Sequence, residues 1–295
     1  MSEKVCAVVV TYNRKDLLWE CLQALESQTR KPDHVLVVDN ASTDGTLEML
    51  EAEFPEVEVL KMPRNEGGAG GFFEGMKRGY EQGFDWLWLM DDDTIPKNGA
   101  LTELEAASKI LLKIVKQPLL LASCVEWIDG TVHPMNFPTV NTSDRDLLVK
   151  TVEMGYLPIR SASFVSLLVH RHAIEKYGFP IKDYFIWNDD VEYTARVLRH
   201  GLGFLVPKSI VVHKTKRKYI PITSSHPERF YYEVRNKLWM LRRSDAWHPK
   251  EKVKLSIHLI LDIGHYVYRK RFAARALYHI LRGIQDGFLR APEQL

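Results

Sequence analysis

An uninterrupted apolar run rich in valine occupies residues 4–10, the pattern of a strand buried on both faces of a parallel sheet. Asn13 stands where it would cap a following helix, whose apolar positions Leu17, Leu18, Cys21, Leu22 and Leu25 recur at helical spacing. Residues 35–38 predict a second strand, and Ser42, Thr43 and Asp44 the cap of a helix running to about Glu53. A third strand at 57–60, a helix over 70–82 and a fourth strand at 86–90 follow. Strands alternating with helices in this way predict a doubly wound α/β sheet, in which ligands bind beyond the carboxyl ends of the strands. After a helix at 99–116 and a strand at 119–124 the pattern loosens. Residues 126–160, with Pro134, Pro138 and Pro158, read as a loop-rich insert. Residues 163–169 predict a further buried strand, 190–199 a short helix, and 204–206 and 210–213 two short strands. From about residue 227 the chain turns helical and basic.

Composition changes this picture little. The 295 residues are 45% hydrophobic, enough for one large domain or a domain with an appendage. A net charge of +2 is uninformative by itself, and nucleic acid is not an expected partner. Cys6, Cys21 and Cys124 are odd in number and lack zinc or redox spacing, so they read as reduced thiols. The first residues show no Arg-rich, apolar or cleavable leader, and apolar runs fall short of the ~20 residues that span a bilayer. The expectation is a cytoplasmic protein.

The candidate chemistry sits in four places. Asp91, Asp92 and Asp93 directly follow the apolar run 86–90. Three adjacent carboxylates repel one another unless a cation neutralises them, and such oxygens suit Mg²⁺ or Mn²⁺ shared with substrate phosphates. A solvated loop ahead of Pro96 is the bland alternative, against which the strand-end position argues. In Trp187-Asn188-Asp189-Asp190-Val191-Glu192, a carboxylate at a helix start serves as a base for a hydroxyl nucleophile, or merely as a helix cap. His213 ends a short strand before Lys214, Lys216, Arg217 and Lys218, and can complete a metal site or be purely structural. Asn65-Glu66-Gly67-Gly68-Ala69-Gly70-Gly71-Phe72 opens a helix. It is neither a P-loop nor the dinucleotide fingerprint, since it follows the third strand.

Together these segments resemble the family 2 inverting glycosyltransferases of the GT-A fold, over about residues 4–240. The resemblance implies an α/β GT-A fold with a mostly parallel central sheet flanked by helices. Val8-Val9-Val10-Thr11-Tyr12-Asn13-Arg14 is similar to the family's first strand and nucleotide-contacting turn, and Val38-Asp39-Asn40 to its second motif, with Asp39 on the nucleotide base. Asp91-Asp92-Asp93 resembles its Asp-x-Asp element, with Asp93 a metal ligand, Asp91 a ligand or ribose contact, and Asp92 beside the donor. Asp189-Asp190-Val191-Glu192 matches the catalytic-base element with Asp189 in place of the usual Glu, making Asp190 the base, and His213 matches the late metal ligand. Asn65 and Gly68 are expected on the donor, and Trp187, Asp189, Lys214 and Arg235 at acceptor or phosphate. The string Asn65–Phe72, Trp187–Asp190 and Tyr231-Tyr232-Glu233-Val234-Arg235-Asn236 are most similar to bacterial galactofuranosyltransferases, with rhamnosyltransferases next. The implied donors are UDP-galactofuranose or dTDP-rhamnose. The implied acceptor is a glycan or polyprenyl-linked sugar in cell-wall or surface polysaccharide synthesis. Mycobacterial members of the galactofuranosyl group are expected to be larger than this chain.

Residues 1–240 read as the catalytic domain and 241–295 as a basic amphipathic helical extension. In the extension Phe272, Ala276, Leu277, Ile280, Leu281, Ile284 and Phe288 form a helical stripe, with Arg271, Arg275 and Arg282 elsewhere on the wheel. Such a helix lies on an anionic membrane surface, as a peripheral membrane protein, or packs on its own domain or a second subunit. Two rivals stand beside the transferase: a non-catalytic nucleotide-sugar-binding module, and a nucleotidyltransferase, which calls for a basic Gly-rich loop after the first strand.

Overall fold

The computed structural model describes residues 3–293. The first two residues, on which the reading of an absent leader partly rests, and the last two lie outside them. The first half runs β1 (Val5–Thr11), α1 (Lys15–Glu26), β2 (His34–Asp39), α2 (Thr46–Glu53), β3 (Glu58–Lys61), α3 (Gly67–Glu81) and β4 (Trp86–Asp91). It continues with β5 (Thr94–Pro96), α4 (Ala100–Leu111) and β6 (Leu120–Glu126). The expected loop-rich insert contains β7 (Thr139–Val140), α5 (Arg145–Glu153) and β8 (Leu157–Ser161). Then come β9 (Leu167–His170), α6 (Arg171–Tyr177), α7 (Asp189–Leu198) and β10 (Gly203–His213). Three helices close the chain: α8 (Pro227–Arg242), α9 (Pro249–Arg269) and α10 (Ala274–Leu289).

The sheet order is β3-β2-β1-β4-β9-β6-β10-β8-β7, with β5 paired to β10. Every residue of β1 is buried. Val5, Ala7 and Val9 enter the core beneath α1, α2 and α4, while Cys6, Val8 and Val10 enter the one shared with α3, α6 and α7. Alternate side chains of one strand thus fill two layers, which is why the run carries no polar position. Close approach of α3 is bought with glycine: a methyl on Gly71 would lie 2.5 Å from Val10 Cγ1, and one on Gly75 2.4 Å from Val8 Cγ1.

The sheet is mixed rather than mostly parallel. β1 through β4 pair in parallel as expected, but β9 lies antiparallel between β4 and β6. All four residues of β9 are buried, and an apolar run reads the same in either direction, so patterning could not reveal this. The two short strands expected at 204–206 and 210–213 are one strand, β10, with a register shift between Val206 and Ile210.

Asn13 does not cap α1. It has a left-handed backbone (φ 52°) and its Oδ1 accepts the Thr43 amide hydrogen at 2.7 Å. The first amide of α1, Lys15, donates instead to Asp44 Oδ2 at 3.0 Å. The two loops therefore cap one another, which fixes the turn after β1 against the turn after β2. In the tail, α8, α9 and α10 share a core of Phe230, Val234, Leu259, Tyr266, Ala276 and Ile280. Arg160 on β8 ties α9 to the sheet through Glu251 at 2.9 Å. Among the described residues no helix is long and apolar enough to cross a membrane. The cysteines are free thiols, Cys6 and Cys21 buried.

Candidate active site

Asp91 ends β4, and the chain turns at once into β5, which pairs antiparallel with the end of β10, Thr94 opposite His213. That register brings His213 against Asp93, with His213 Nε2 3.0 Å from Asp93 Oδ1. One ligand atom each from Asp91, Asp93 and His213 all lie within 4.8 Å of one another. The orientation of His213 is set by a residue that sequence reading did not identify. Asn136, in the insert, accepts the Nδ1 hydrogen of His213 on its Oδ1 at 2.9 Å and donates to Ser163 Oγ at 3.1 Å. Nδ1 thus keeps its hydrogen on Asn136, while Nε2 donates to Asp93 here and, on losing that hydrogen, would turn its lone pair to a cation, as a metal-ligating histidine requires.

The acids of the triplet differ in kind. Burial, and then the neighbouring Asp93, push the Asp91 carboxyl up to about 7. Asp93 is buried too, but its bonds to His213 and Arg14 hold it below the usual carboxylate range, and burial notwithstanding Asp93 raises His213 in return. Asp92 faces the other way: Thr11 Oγ donates to it at 2.8 Å and Arg14 at 3.1 Å, and burial raises it to about 6. It anchors the β1 turn and stands outside the three-residue cluster. Two carboxylates and an imidazole nitrogen fit Mn²⁺ or Mg²⁺. The crowding that raises Asp91 is the repulsion a divalent cation relieves.

Around this corner lie the other residues expected on the donor. Arg14 bridges Asp93 (2.7 Å) and Asp92, Tyr12 is exposed, and Asp39 is buried at the end of β2 beside Thr11. The Ser42 amide donates to Asp39 Oδ1 at 3.1 Å. Asn65 Oδ1 accepts the Gly67 amide hydrogen at 2.8 Å and so opens α3 three residues before its expected start. Gly67 is required there. Its φ is +73°, and a Cβ would fall 1.9 Å from the Phe185 carbonyl oxygen. That oxygen accepts from the Ala69 amide at 3.2 Å, so the glycine loop mates with the segment leading to Asp189, while Gly68 faces open space.

That segment is strained. Phe185, Trp187 and Asn188 all have positive φ, and only the asparagine tolerates this readily. The fully buried Asn236 on α8 holds it, its Nδ2 donating to the carbonyls of Tyr184, Ile186 and Trp187 at 2.9–3.0 Å. Arg235, expected at phosphate, donates to the carbonyls of Asp183 and Tyr184 at 2.6 and 3.0 Å and lies 4.1 Å over the Trp239 ring. Its guanidinium serves the loop. Lys214 pairs with Glu20. Arg229 is stacked 5.1 Å from the Trp187 ring, and no carboxylate partners it among the described residues.

The loop delivers Asp189 and Asp190 to the N-terminus of α7. Asp189 is buried, and burial, Asp190 and the charge of Asp91 hold it well above the carboxylate range, which puts the α7 N-terminus in electrostatic reach of the triplet. Asp190 is half-buried, and burial raises it to about 6 against the hydrogen bond from the Val191 amide at 2.7 Å. A carboxyl tuned toward neutrality and reachable from solvent has the properties of a general base. Asn136 carried no sequence signal, lying in a proline-punctuated stretch. Asn236 did, as the last residue of the Tyr231–Asn236 string.

Residues 6–117 match the family model described as Glycosyl transferase family 2. The chain is 33% identical over 208 residues to the galactofuranosyltransferase GlfT1 of Mycolicibacterium smegmatis, covering 69% of this chain and 68% of that one. Nearly equal shares mean similar lengths, so this mycobacterial relative is not the larger protein expected. The dTDP-rhamnosyl transferase RfbF of Shigella flexneri is 28% identical over 298 residues, 97% of each chain. The structure of S. aureus TarS 1–349 in complex with UDP-GlcNAc superposes with a TM-score of 0.62 at 16% identity, over 99% of this chain and 82% of that one, a likeness of fold. A strand-end acidic corner joined to a histidine from β10, three strands away, is thus carried on a GT-A-like fold, in a chain whose sequence relatives are transferases of bacterial glycan synthesis. The chain belongs to glycosyltransferase family 2.

Proposed function

We propose that this glycosyltransferase moves galactofuranose from UDP-galactofuranose to a glycan or polyprenyl-linked acceptor in surface polysaccharide synthesis, inverting the anomeric configuration. The observation that carries the mechanism is the pairing of two unlike carboxylate groups: a clustered Asp91, Asp93 and His213 corner, and a half-buried Asp190 raised to about 6 at the facing helix start. Asp91, Asp93 and His213 would hold Mn²⁺ or Mg²⁺, which offsets charge gathering on the departing diphosphate. Asp190 takes the proton of the acceptor hydroxyl as its oxygen bonds to the anomeric carbon, while the bond from that carbon to the diphosphate oxygen breaks and the nucleoside diphosphate leaves. Thr11, Tyr12, Asn13, Arg14 and Asp39 form the nucleotide side, with Asn65, Gly68 and Asp92 at its margin. Trp187 and Asp189 border the acceptor, and Arg229, stacked on Trp187 and without a carboxylate partner among the described residues, offers a cation beside them. In this reading residues 1–240 do the chemistry and the tail 241–295 rests on an anionic membrane surface.

Galactofuranose is favoured by the identity to GlfT1, and dTDP-rhamnose is the second reading, favoured by the end-to-end alignment with RfbF. Incubation with Mn²⁺ and a panel containing UDP-galactofuranose and dTDP-rhamnose tests both. Acceptor-dependent UDP release from UDP-galactofuranose alone is the expected result. Release of dTDP alone would transfer the assignment to rhamnose, and release from neither, with tight nucleotide binding, would favour a binding module.

A further inference from the structure

The apolar stripe expected on the last helix is divided by the fold: Ala276, Ile280 and Ile284 pack against α8, whereas Phe272 and Leu281 remain 67% and 65% exposed. A more continuous apolar face lies on α9. Val253, Ile257, Ile260, Leu261 and Tyr268 are 51–77% exposed and recur at i, i+4, i+7, i+8 and i+15, on the side away from the buried Leu259 and Tyr266. At 1.5 Å per residue the stripe is about 22 Å long. Its charges are one-sided. Both acids of α9 are turned inward and used, Glu251 by Arg160 at 2.9 Å and Asp262 by Lys237 at 3.0 Å. Lys250 and Lys254, which flank the stripe, have no acidic partner among the described residues.

We infer that the outer face of α9 is the membrane-contacting surface, its apolar stripe entering the headgroup boundary of an anionic bilayer with Lys250 and Lys254 on lipid phosphates. This rests on the membrane role proposed for the tail and assigns that role to one helix face. A second copy of the chain fits less well, because pairing two such stripes brings Lys250 and Lys254 of both copies together while both α9 carboxylates stay on the inner side. The face is also tied to the site. Asp262 on the inner side of α9 pairs with Lys237, Lys237 with Glu233 at 2.5 Å, and Glu233 accepts from Asn188 at 2.8 Å, one residue before Asp189. A bilayer under α9 therefore has a fixed relation to the side of the site where a lipid-linked acceptor would enter.

The test is flotation of the full chain with phosphatidylcholine vesicles, with or without phosphatidylglycerol, for the wild type and the exposed double variant Ile257→Glu/Ile260→Glu. We expect binding that needs phosphatidylglycerol and falls about tenfold or more in the variant. Thermal melting and nucleotide release with a water-soluble acceptor should stay unchanged, which separates this test from the transferase assignment. Undiminished flotation of the variant would move the contact off α9 while keeping the tail's membrane role. Flotation by neither protein would end both ideas, as would a wild-type dimer that the variant converts to monomer without lipid binding. Equal binding to both vesicle types would overturn the electrostatic part.

Discussion

Asp189 and Asp190 are consecutive carboxyls with different surroundings, and the difference divides their work. Asp189 is buried beside Asp190 and within reach of the charge of Asp91, and burial first, then these charges, hold its carboxyl well above the usual carboxylate range. Asp190, raised to about 6 and partly open, is ionised at pH 7 and can accept a proton. Asp190→Asn should lower kcat by about 10²–10⁴-fold, the usual worth of a general base, with UDP affinity unchanged by calorimetry. In the wild type kcat/KM should fall tenfold per pH unit below about 6, because only the ionised carboxylate removes the acceptor proton; a flat profile between pH 5 and 7 would contradict the assignment. Asn136 makes a separate prediction. Asn136→Ala frees the His213 ring to rotate and change tautomer, and Mn²⁺ affinity should drop about 10–100-fold by paramagnetic relaxation titration. Asn136→Asp, which still accepts from Nδ1, should lose much less.

At the scale of elements, the site depends on a loop that its own residues do not favour. Phe185 and Trp187 in left-handed conformations cost on the order of 1–3 kcal/mol each. The amide of Asn236, placed by α8, offsets this through three backbone carbonyls, and Gly67 gives the Phe185 carbonyl its space. Asn236→Ala leaves those carbonyls without their donor and should destabilise the protein by about 1–3 kcal/mol. The distinguishing readout is kinetic: acceptor KM should rise while nucleotide binding, which rests on the mutually capping β1 and β2 turns, stays near wild type. The Tyr231–Asn236 string was visible in the sequence as a motif, yet its role was not. A side chain that clamps backbone forty-nine to fifty-two residues away has no periodicity to betray it.

For the whole molecule, pH and metal act on the same charges. Asp91, Asp92 and Asp190 are raised to about 7, 6 and 6, above the ~3.9 of an unfolded aspartate. Between about pH 4 and 7 each of these three groups therefore binds more protons folded than unfolded, and its contribution to stability is lost as pH rises through that window. His213, raised by Asp93, adds to the same trend, since its contribution is lost as pH climbs through its folded value. The metal-free protein should melt at lower temperature at pH 7.5 than at pH 5.5. Mn²⁺ at a hundred times its Kd should restore about 2.7 kcal/mol at pH 7.5 and far less at pH 5.5, where protons on Asp91 and His213 compete with the metal. Calorimetry with EDTA or Mn²⁺ at the two pH values measures both effects. Equal stabilisation at both would argue against Asp91 and His213 as ligands.

The order of β1 to β4 and their helices, the acidic strand end and a helix start near Asp190 were legible in the residues alone, because burial on two faces and helical periodicity leave local patterns. Direction and partnership were not local. An all-buried strand such as β9 looks alike in either orientation, and the pairing of Thr94 with His213, which closes the metal corner across some 120 residues, exists only once β5 and β10 are in register. Asn136 and Asn236 gain their roles the same way, from hydrogen bonds that sequence spacing cannot encode. In the tail the chain specified amphipathic helices, but only packing against α8 decided which apolar residues would be core and which would be left facing outward.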